Sequence, residues 1–183
     1  VRAMPGLRVI RPADANETAQ AWRIAVDADG PTALILSRQD LPILAETAER
    51  AADGVTRGAY VLADPGDGPA QVVLIGTGSE VSLCLDAARL LAEAGTRARV
   101  VSLPSWELFA EQDDAYRDDV LPPGVPTLSV EAATTFGWER YADASLGIDH
   151  FGASAPGAVV LREFGFDPVH VAARATALLG RPT

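Results

Sequence analysis

The sequence is poor in the residues that build disulfides, metal centres and membrane anchors. Its 183 residues include one cysteine and two histidines, so an internal disulfide is impossible and no metal-ligand spacing is present. No apolar segment approaches the roughly 20 residues that cross a bilayer, and the N-terminus lacks a signal-peptide pattern. The single cysteine, Cys84, lies on the apolar face of a predicted helix, which indicates a buried, inert thiol. We therefore expect a cytoplasmic protein.

Positive charge is also scarce. The sequence has 15 basic and 25 acidic residues and a net charge of -10. An excess of negative charge opposes binding to nucleic-acid backbones and to anionic membrane surfaces, so neither is an expected partner. The length allows one domain, or one domain with an appendage, and is sufficient for a full hydrophobic core.

A helix followed by a strand is predicted near the N-terminus. Asp14 and Glu17 have the spacing of a capping box, which predicts a helix that begins there. Its apolar residues share one helical face and are Ala15, Thr18, Trp22, Ala25 and Val26. The Asp29-Gly30-Pro31 sequence ends this helix. One helix and one strand cannot bury both of their faces, so we expect a remnant that packs on the missing part of a neighbouring α/β domain.

The strand that follows ends in a single arginine. Residues 33–36 are apolar without alternation, which is typical of a strand covered on both faces in a parallel sheet. We expect this strand to end at Arg38. Ligands of open α/β sheets bind outside the carboxyl ends of strands, and a guanidinium matches the geometry of a phosphate. Arg38 is thus either a candidate for binding an anionic ligand or a solvated loop residue paired with Asp40.

The rest of the chain predicts a connector and a compact domain. Residues 39–70 form the connector, which contains a helical patch at 45–52, a strand at 59–63 and a turn at 64–69. Residues 71–183 form the domain, with strands at 72–75, 98–102, 127–130 and 145–148 and helical material at 112–120 and 136–141. The expected fold class is α/β: three layers, with a mostly parallel five-stranded sheet and helices on both faces, preceded by the remnant at 1–38.

The Gly76-Thr77-Gly78 turn stands between a predicted strand and a predicted helix, as in dinucleotide-binding proteins. The third glycine of that motif is missing, and no acidic residue closes the second strand, so a tight structural turn is the favoured interpretation. Ser79 is the expected cap of the helix, which runs to Ala94 and is ended by Gly95. An anion can still bind the amide groups of Ser79 and Glu80, which makes this pair a candidate anion site.

The C-terminal part contains a near match to the G-x-S-x-G nucleophile elbow. Proline replaces the second glycine, and the only downstream histidine, His170, lies in the first turns of a helix. Ser154 is therefore expected to cap a helix, with Pro156 inside the first turn, rather than to act as a nucleophile. The last helix is predicted to begin at Pro168, with Asp167 as its cap, and to run to about residue 179.

Two further polar residues follow predicted strands. Glu131 comes directly after the strand at 127–130, and a cap or an internal ion pair is favoured over a role in ligand binding. His150 is expected to be a surface or packing residue rather than a functional titrating group.

Seven stretches together resemble the C-terminal part of transketolase, in that family's order and over nearly the whole chain. They are RPADANETAQAW (11–22), GPTALILSRQDLP (30–42), GTGSEV (76–81), RVVSLPSWELFAEQDDAYRDDVLP (99–122), VEAATTFGW (130–138), FGASAP (151–156) and EFGF (163–166). The LSRQ and FGASAP stretches are the most specific. The resemblance implies that Arg38 binds the phosphate of a sugar-phosphate substrate, because it matches the arginine of the family's LSRQ motif.

The resemblance also implies an oligomeric state, a cofactor and a metal, with catalytic residues in parts of the protein outside this chain. Transketolases are homodimers that use thiamine diphosphate and a divalent metal, Mg or Ca. The family's GDG-type motif, its cofactor-activating glutamate and its thiazolium-proximal histidines have no match here, so no residue of this chain is assigned to the cofactor, to the metal or to catalysis. The chain begins with Val1, which suggests a piece of a longer protein. We expect the isolated chain to be inactive and its partners to be phosphorylated sugars, the missing N-terminal domains and a second subunit.

Two alternatives remain open. The chain is a non-catalytic structural or dimerisation module, or a module that binds a regulatory anion near Ser79. Alternatively, it is the equivalent domain of another thiamine-diphosphate enzyme, such as a keto-acid dehydrogenase or deoxyxylulose-phosphate synthase. The combination of LSRQ with FGASAP favours transketolase over both of these enzymes.

Overall fold

A computed structural model describes residues 2–180, which form a two-stranded and a five-stranded sheet with helices around them. The strands are β1 (Arg8–Ile10), β2 (Thr32–Leu34), β3 (Tyr60–Ala63), β4 (Val72–Gly76), β5 (Ala98–Ser102), β6 (Thr127–Val130) and β7 (Ala144–Leu146). The helices are α1 (Ala15–Asp27), α2 (Ala45–Thr56), α3 (Glu80–Glu93), α4 (Trp106–Ala110), α5 (Asp114–Val120), α6 (Gly157–Glu163) and α7 (Pro168–Leu179). A 3₁₀ turn spans Trp138–Arg140.

The five-stranded sheet has the order β3-β5-β4-β6-β7. Strands β5, β4, β6 and β7 are parallel, and β3 lies antiparallel to β5 at one edge. Gly76 pairs with Ser102 on one side and with Val130 on the other, so three strands end at the same edge of the sheet. This architecture confirms the predicted fold class. Strand β3, which lies within the predicted connector, pairs with β5 and is part of the sheet.

Strand β4 shows why the sheet has a core on both faces. All five of its residues are buried. Val72 and Leu74 pack in the cluster that contains residues of α3 and α7, and Val73 and Ile75 pack in a second cluster with Trp106, Phe109 and Trp138. Side chains alternate between the faces of a strand, so an apolar run without alternation needs a cover on each face.

The start of α1 confirms the capping prediction. Asp14 Oδ1 accepts from the backbone N–H of Glu17 at 3.0 Å, and Glu17 Oε2 accepts from the backbone N–H of Ala13 at 2.7 Å. The return bond thus reaches one residue further back than in a standard capping box. Helix α1 packs against α2, and the predicted apolar face is open to solvent at Trp22 and Val26, which are 55% and 76% exposed.

The strand predicted to reach Arg38 ends earlier, at Leu34, so this boundary was wrong. Strand β2 pairs in parallel with β1, and the last rung is the bond from Ile35 N to Ile10 O at 2.9 Å. Beyond Ile10, Arg11 N donates instead to Pro104 O, and the following proline has no N–H to donate. The pairing stops because β1 turns away towards the five-stranded sheet.

Other boundaries differ in detail. The predicted cap at Ser154 was wrong: α6 begins at Gly157, Pro156 occupies the cap position without a side-chain bond, and Ser154 is exposed. Helix α4 was not predicted. Asp167 does cap α7, since its carboxylate accepts from the N–H of His170 at 3.0 Å, and the helix ends at Leu179 as expected. None of the helices in residues 2–180 is both long and apolar enough to span a membrane.

Candidate functional site at the carboxyl edge of the sheets

Charged side chains from three strand ends meet at one edge. Arg11 follows β1, Glu80 begins α3 just after β4, and Glu131 follows β6. Arg11 Nη1 donates to Thr77 O at 2.6 Å and to Glu80 Oε2 at 2.5 Å, and it lies 3.7 Å from Glu131 Oε1. Arg2 Nη1 donates to Glu131 Oε2 at 2.5 Å. The four side chains form an ionic chain that runs Arg2, Glu131, Arg11, Glu80.

Both carboxylates of this ionic chain are buried and hydrogen-bonded, and its two arginines are partly buried. Glu80 is 3% and Glu131 2% exposed. Glu80 also accepts from Ser79 Oγ and from Ala132 N, and Glu131 accepts from the indole N–H of Trp138 at 2.8 Å. Buried carboxylates persist only when cations and donors surround them. The internal ion pair predicted for Glu131 is confirmed, and the ionic chain fastens the N-terminal segment to the five-stranded sheet.

Arg11 also fills the glycine turn between β4 and α3. Gly78 has a φ of +59°, and a Cβ atom placed there would lie 2.7 Å from the guanidinium carbon of Arg11. Any larger residue would therefore displace this arginine. The predicted tight turn is what the structure shows, and a side chain of this chain lies against the glycine where dinucleotide-binding proteins admit a phosphate.

The predicted anion site at Ser79 and Glu80 lies at the N-terminus of α3. The hydroxyl of Ser79 makes no capping bond but donates to Glu80 Oε1 at 2.6 Å. The Glu80 N–H donates to Thr77 O at 3.4 Å. A buried carboxylate therefore stands where a bound anion would have to approach, and anion binding by this pair stays a prediction.

Arg38 lies apart from the ionic chain, on the segment between β2 and α2. It is exposed, as are its neighbours from Ile35 to Asp40. Within residues 2–180 the structure pairs Arg38 with no carboxylate, Asp40 included. Its guanidinium donors therefore face solvent and are available to a ligand.

Glu17 is a further buried carboxyl group, and no local sequence pattern indicates its contacts with Tyr60 and Ser102. Tyr60 Oη donates to Glu17 Oε1 at 2.7 Å, and Ser102 Oγ donates to the same oxygen at 2.5 Å. Burial raises the pKa of Glu17 above its ordinary value, against the opposing effect of these hydrogen bonds. Burial, together with the charge of Glu17, also raises the pKa of Tyr60. This group joins α1 to strands β3 and β5.

The other sequence candidates are dispersed. His170 is exposed on α7, and within residues 2–180 no hydrogen bond joins it to Ser154. His150 is exposed, with its Nδ1 2.8 Å from Phe151 O. Cys84 is fully buried, which confirms that prediction, and burial raises the pKa of its thiol. Among the residues that the structure describes, no group of three His, Cys, Asp or Glu side chains could hold a metal ion.

Family models match both parts of the chain. Residues 58–167 match the family described as "Transketolase-like TK C-terminal domain", and residues 1–43 match the family described as "Transketolase, pyrimidine binding domain". The first match covers all five strands of the larger sheet, β3 to β7, and the second covers the β1–β2 pair with Arg38.

Curated relatives and solved structures agree with these matches. Transketolase of Geobacillus stearothermophilus is 52% identical over 99% of this chain, and transketolase of Bacillus subtilis is 45% identical over 99%. The chain spans about 28% of the length of each. Transketolase from Leishmania mexicana superposes with a TM-score of 0.91 at 46% identity, covering 97% of this chain and 26% of its own. A transketolase from Pichia stipitis in complex with sedoheptulose-7-phosphate gives 0.91 at 40% identity, with the same coverage.

Proposed function

This chain belongs to the transketolase family, and from that premise we propose that it forms the C-terminal portion of an enzyme that transfers a two-carbon ketol unit between sugar phosphates. The observation that carries the proposal is the identity of about half of its residues to curated transketolases over nearly its whole length. Because the chain spans about 28% of those relatives, the reaction belongs to a complete enzyme that includes regions this chain does not contain.

Within that enzyme we assign Arg38 to the phosphate of the sugar substrate. Its exposed guanidinium has no carboxylate partner among residues 2–180. A planar guanidinium binds two oxygens of one phosphate at once. A transketolase from Pichia stipitis has been solved in complex with xylulose-5-phosphate, which supports this ligand class. A contact far from the reacting carbon contributes binding energy that orients the donor and acceptor.

The cofactor and the metal are assigned to other parts of the enzyme. In the complete enzyme, thiamine diphosphate would supply the carbanion stabilisation that such a transfer needs, and a divalent metal, Mg or Ca, would accompany its diphosphate. The residues that the structure describes offer no metal-ligand cluster, and the glycine turn after β4 holds Arg11. Because the family's catalytic motifs have no match in this chain, we assign no catalytic step to it. A homodimeric, cytoplasmic enzyme of the pentose phosphate pathway completes the proposal, on the strength of the family alone.

The role of Arg38 is tested by Arg38→Ala in the complete enzyme. Loss of charged hydrogen bonds to a phosphate should raise KM for phosphorylated sugars by roughly ten- to a hundredfold. KM for unphosphorylated sugars should change far less, because they do not use this contact. Steady-state kinetics with both classes of acceptor measures the difference.

Two controls accompany this measurement. Arg162→Ala removes another exposed arginine, on α6, and should leave both KM values unchanged. The unmodified 183-residue chain by itself should show no ketol transfer. Equal effects of Arg38→Ala on KM for the two sugar classes would contradict the phosphate contact. Turnover by the chain alone would contradict the proposal that catalysis requires the other regions of the complete enzyme.

A further inference from the structure

Among the described residues, hydrogen bonds hold the segment that carries Arg38 at its two ends. At the first end, Ile35 N donates to Ile10 O at 2.9 Å, and at the other Leu44 N donates to Asp14 Oδ2 at 2.9 Å. Between them, within the part of the chain that the structure describes, residues 36–43 take part in no hydrogen bond. The position of Arg38 therefore depends on these two attachments.

Asp14 provides the second attachment, and both oxygens of its carboxylate accept hydrogen bonds. Its Oδ1 accepts from Glu17 N and caps α1, while its Oδ2 accepts from Leu44 N and, at 2.6 Å, from Thr47 Oγ1. Asp14 is 4% exposed and Thr47 is fully buried. One side chain thus fixes the start of α1 and, at the same time, the point where the Arg38 segment enters α2.

Thr47 also contacts Leu44, since its hydroxyl lies 2.8 Å from Leu44 O as well as 2.6 Å from Asp14 Oδ2. Asn16 Nδ2 reaches Leu44 O at 3.4 Å, which is long for a hydrogen bond. The attachment at Ile10 uses a main-chain carbonyl, which no side-chain substitution removes. Among the described residues, Asp14 is the side chain that accepts from Leu44 N, and it also holds the Thr47 hydroxyl that reaches Leu44 O.

We infer that Asp14 is a positioning residue for sugar-phosphate binding. By holding Leu44 it restricts the conformations of residues 35–44, so that the guanidinium of Arg38 is in place before substrate arrives. A segment with free ends would lose more conformational entropy on binding and would bind more weakly. The inference rests on the proposed phosphate contact of Arg38 and adds the group that orients it.

The test is Asp14→Asn in the complete enzyme. Asparagine caps helices as well as aspartate does, so the oxygen that accepts from Glu17 N is retained, whereas the amide NH₂ cannot accept from Leu44 N. KM for phosphorylated sugars should rise roughly tenfold, less than the hundredfold that a full ångström of misplacement can cost. KM for unphosphorylated sugars and kcat should stay within about twofold of the wild-type values.

Three more variants make the result specific. Asp14→Ser keeps a hydroxyl that can cap α1, but its side chain is too short to accept from both Glu17 N and Leu44 N. It should therefore raise KM for phosphorylated sugars as Asp14→Asn does. Because serine has no amide group, this result does not depend on how an asparagine amide is oriented. Thr47→Val removes the bond to Leu44 O but keeps the bond between Asp14 and Leu44 N, so KM should rise less than in Asp14→Asn. A rise as large as that of Asp14→Asn would contradict the assignment of the anchor to Asp14. Asp167→Asn makes the same chemical change at the cap of α7 and should leave KM unchanged.

A double-mutant cycle with Arg38→Ala separates positioning from a general structural effect. Once Arg38 is absent, Asp14→Asn should raise KM for phosphorylated sugars no further. A further rise in the Arg38→Ala background, or an equal rise for both sugar classes, would overturn the inference even if the phosphate contact of Arg38 itself is established.

Hydrogen exchange at the Leu44 amide decides the anchoring step independently of kinetics. It should be faster in Asp14→Asn than in the wild-type enzyme, because the amide loses its acceptor. If Arg38→Ala fails to distinguish the sugar classes, the proposed function fails. Faster exchange then still supports anchoring by Asp14, and unchanged exchange overturns it.

Discussion

At the scale of single residues, Glu17 is the most unusual titratable group of the chain. It is fully buried and, among the described residues, its carboxylate contacts neutral donors rather than a cation. Asp14 lies close enough for its charge to raise the pKa of Glu17 further. Desolvation is the dominant cause of the shift, since removing a carboxylate from water disfavours its charged form.

The raised pKa of Glu17 predicts how stability depends on pH. The folded chain holds the Glu17 proton to a higher pH than the unfolded chain, whose ordinary value is 4.5. The contribution of Glu17 to the free energy of unfolding is thus fully present below that pH and is lost as pH rises through the folded pKa. Urea denaturation from pH 4.5 upwards should show a steeper decline for the wild type than for Glu17→Gln.

A control for this prediction is Glu49→Gln, which makes the same substitution at an exposed position of α2. It removes one negative charge without touching a buried group. If the wild type and Glu17→Gln lose stability in parallel over the whole pH range, then Glu17 does not retain a proton in the folded state.

At the scale of secondary structure, the cap of α7 governs how one face of the sheet is covered. Helix α7 packs against α3 and β6 through Val171, Ala175 and Leu178. Asp167 caps this helix by accepting from the N–H of His170, and Pro168 occupies its first position, where it has no N–H that needs a partner. The orientation of α7 against the core thus begins with a local interaction that the sequence encodes directly.

Asp167→Ala should lower the free energy of unfolding by about 1 kcal/mol, the usual cost of a lost helix cap. Asp167→Asn should cost a few tenths at most, because asparagine is an equivalent cap. Urea denaturation of the three proteins at one pH gives both values. A loss of the same size in both variants would mean that the charge of Asp167, rather than its capping bond, stabilises the helix.

At the scale of the whole molecule, the ionic chain connects segments that are far apart in sequence. Arg11 joins the end of β1 to Thr77 and Glu80, 66 and 69 residues away. Because both carboxylates of the chain are buried, their charges depend on Arg11 and Arg2 for compensation. This link determines where the β1–β2 pair, and the Arg38 segment that follows it, lies relative to the five-stranded sheet.

Arg11→Met should therefore lower the free energy of unfolding by about 3 to 5 kcal/mol, the range observed when one partner of a buried ion pair is removed. Arg89→Met is the matched control, because Arg89 pairs with Asp86 on the surface, with its side chain 65% exposed. That pair should contribute at most about 1 kcal/mol. Losses of similar size for the two arginines would show that the buried chain has no special role.

The elements of the fold were largely predictable because their signals are local. The apolar run of β4, the capping residues Asp14 and Asp167, and the terminating Gly95 each act within a few residues, and the structure confirms all of them. The local cap predicted at Ser154 is an exception, since α6 begins at Gly157. The end of β2 is an error of another kind, decided by distant contacts. Strand β2 ends at Leu34 because β1 turns towards Pro104, a partner that no short-range pattern reveals.

The candidate site, like the fold, was predictable only in part. The sequence by itself determined the family and the mostly parallel sheet, since motifs and apolar runs consist of consecutive residues. It also identified Arg38 as a candidate ligand-binding residue and left Glu131 as either a cap or a member of an internal ion pair. Only the tertiary structure decided that Arg11 lies between Glu80 and Glu131, that Glu17 meets Ser102 across 85 positions, and that Asp14 holds Leu44. Such contacts depend on how separate elements pack together, and burial then makes their charges and hydrogen bonds strong enough to matter.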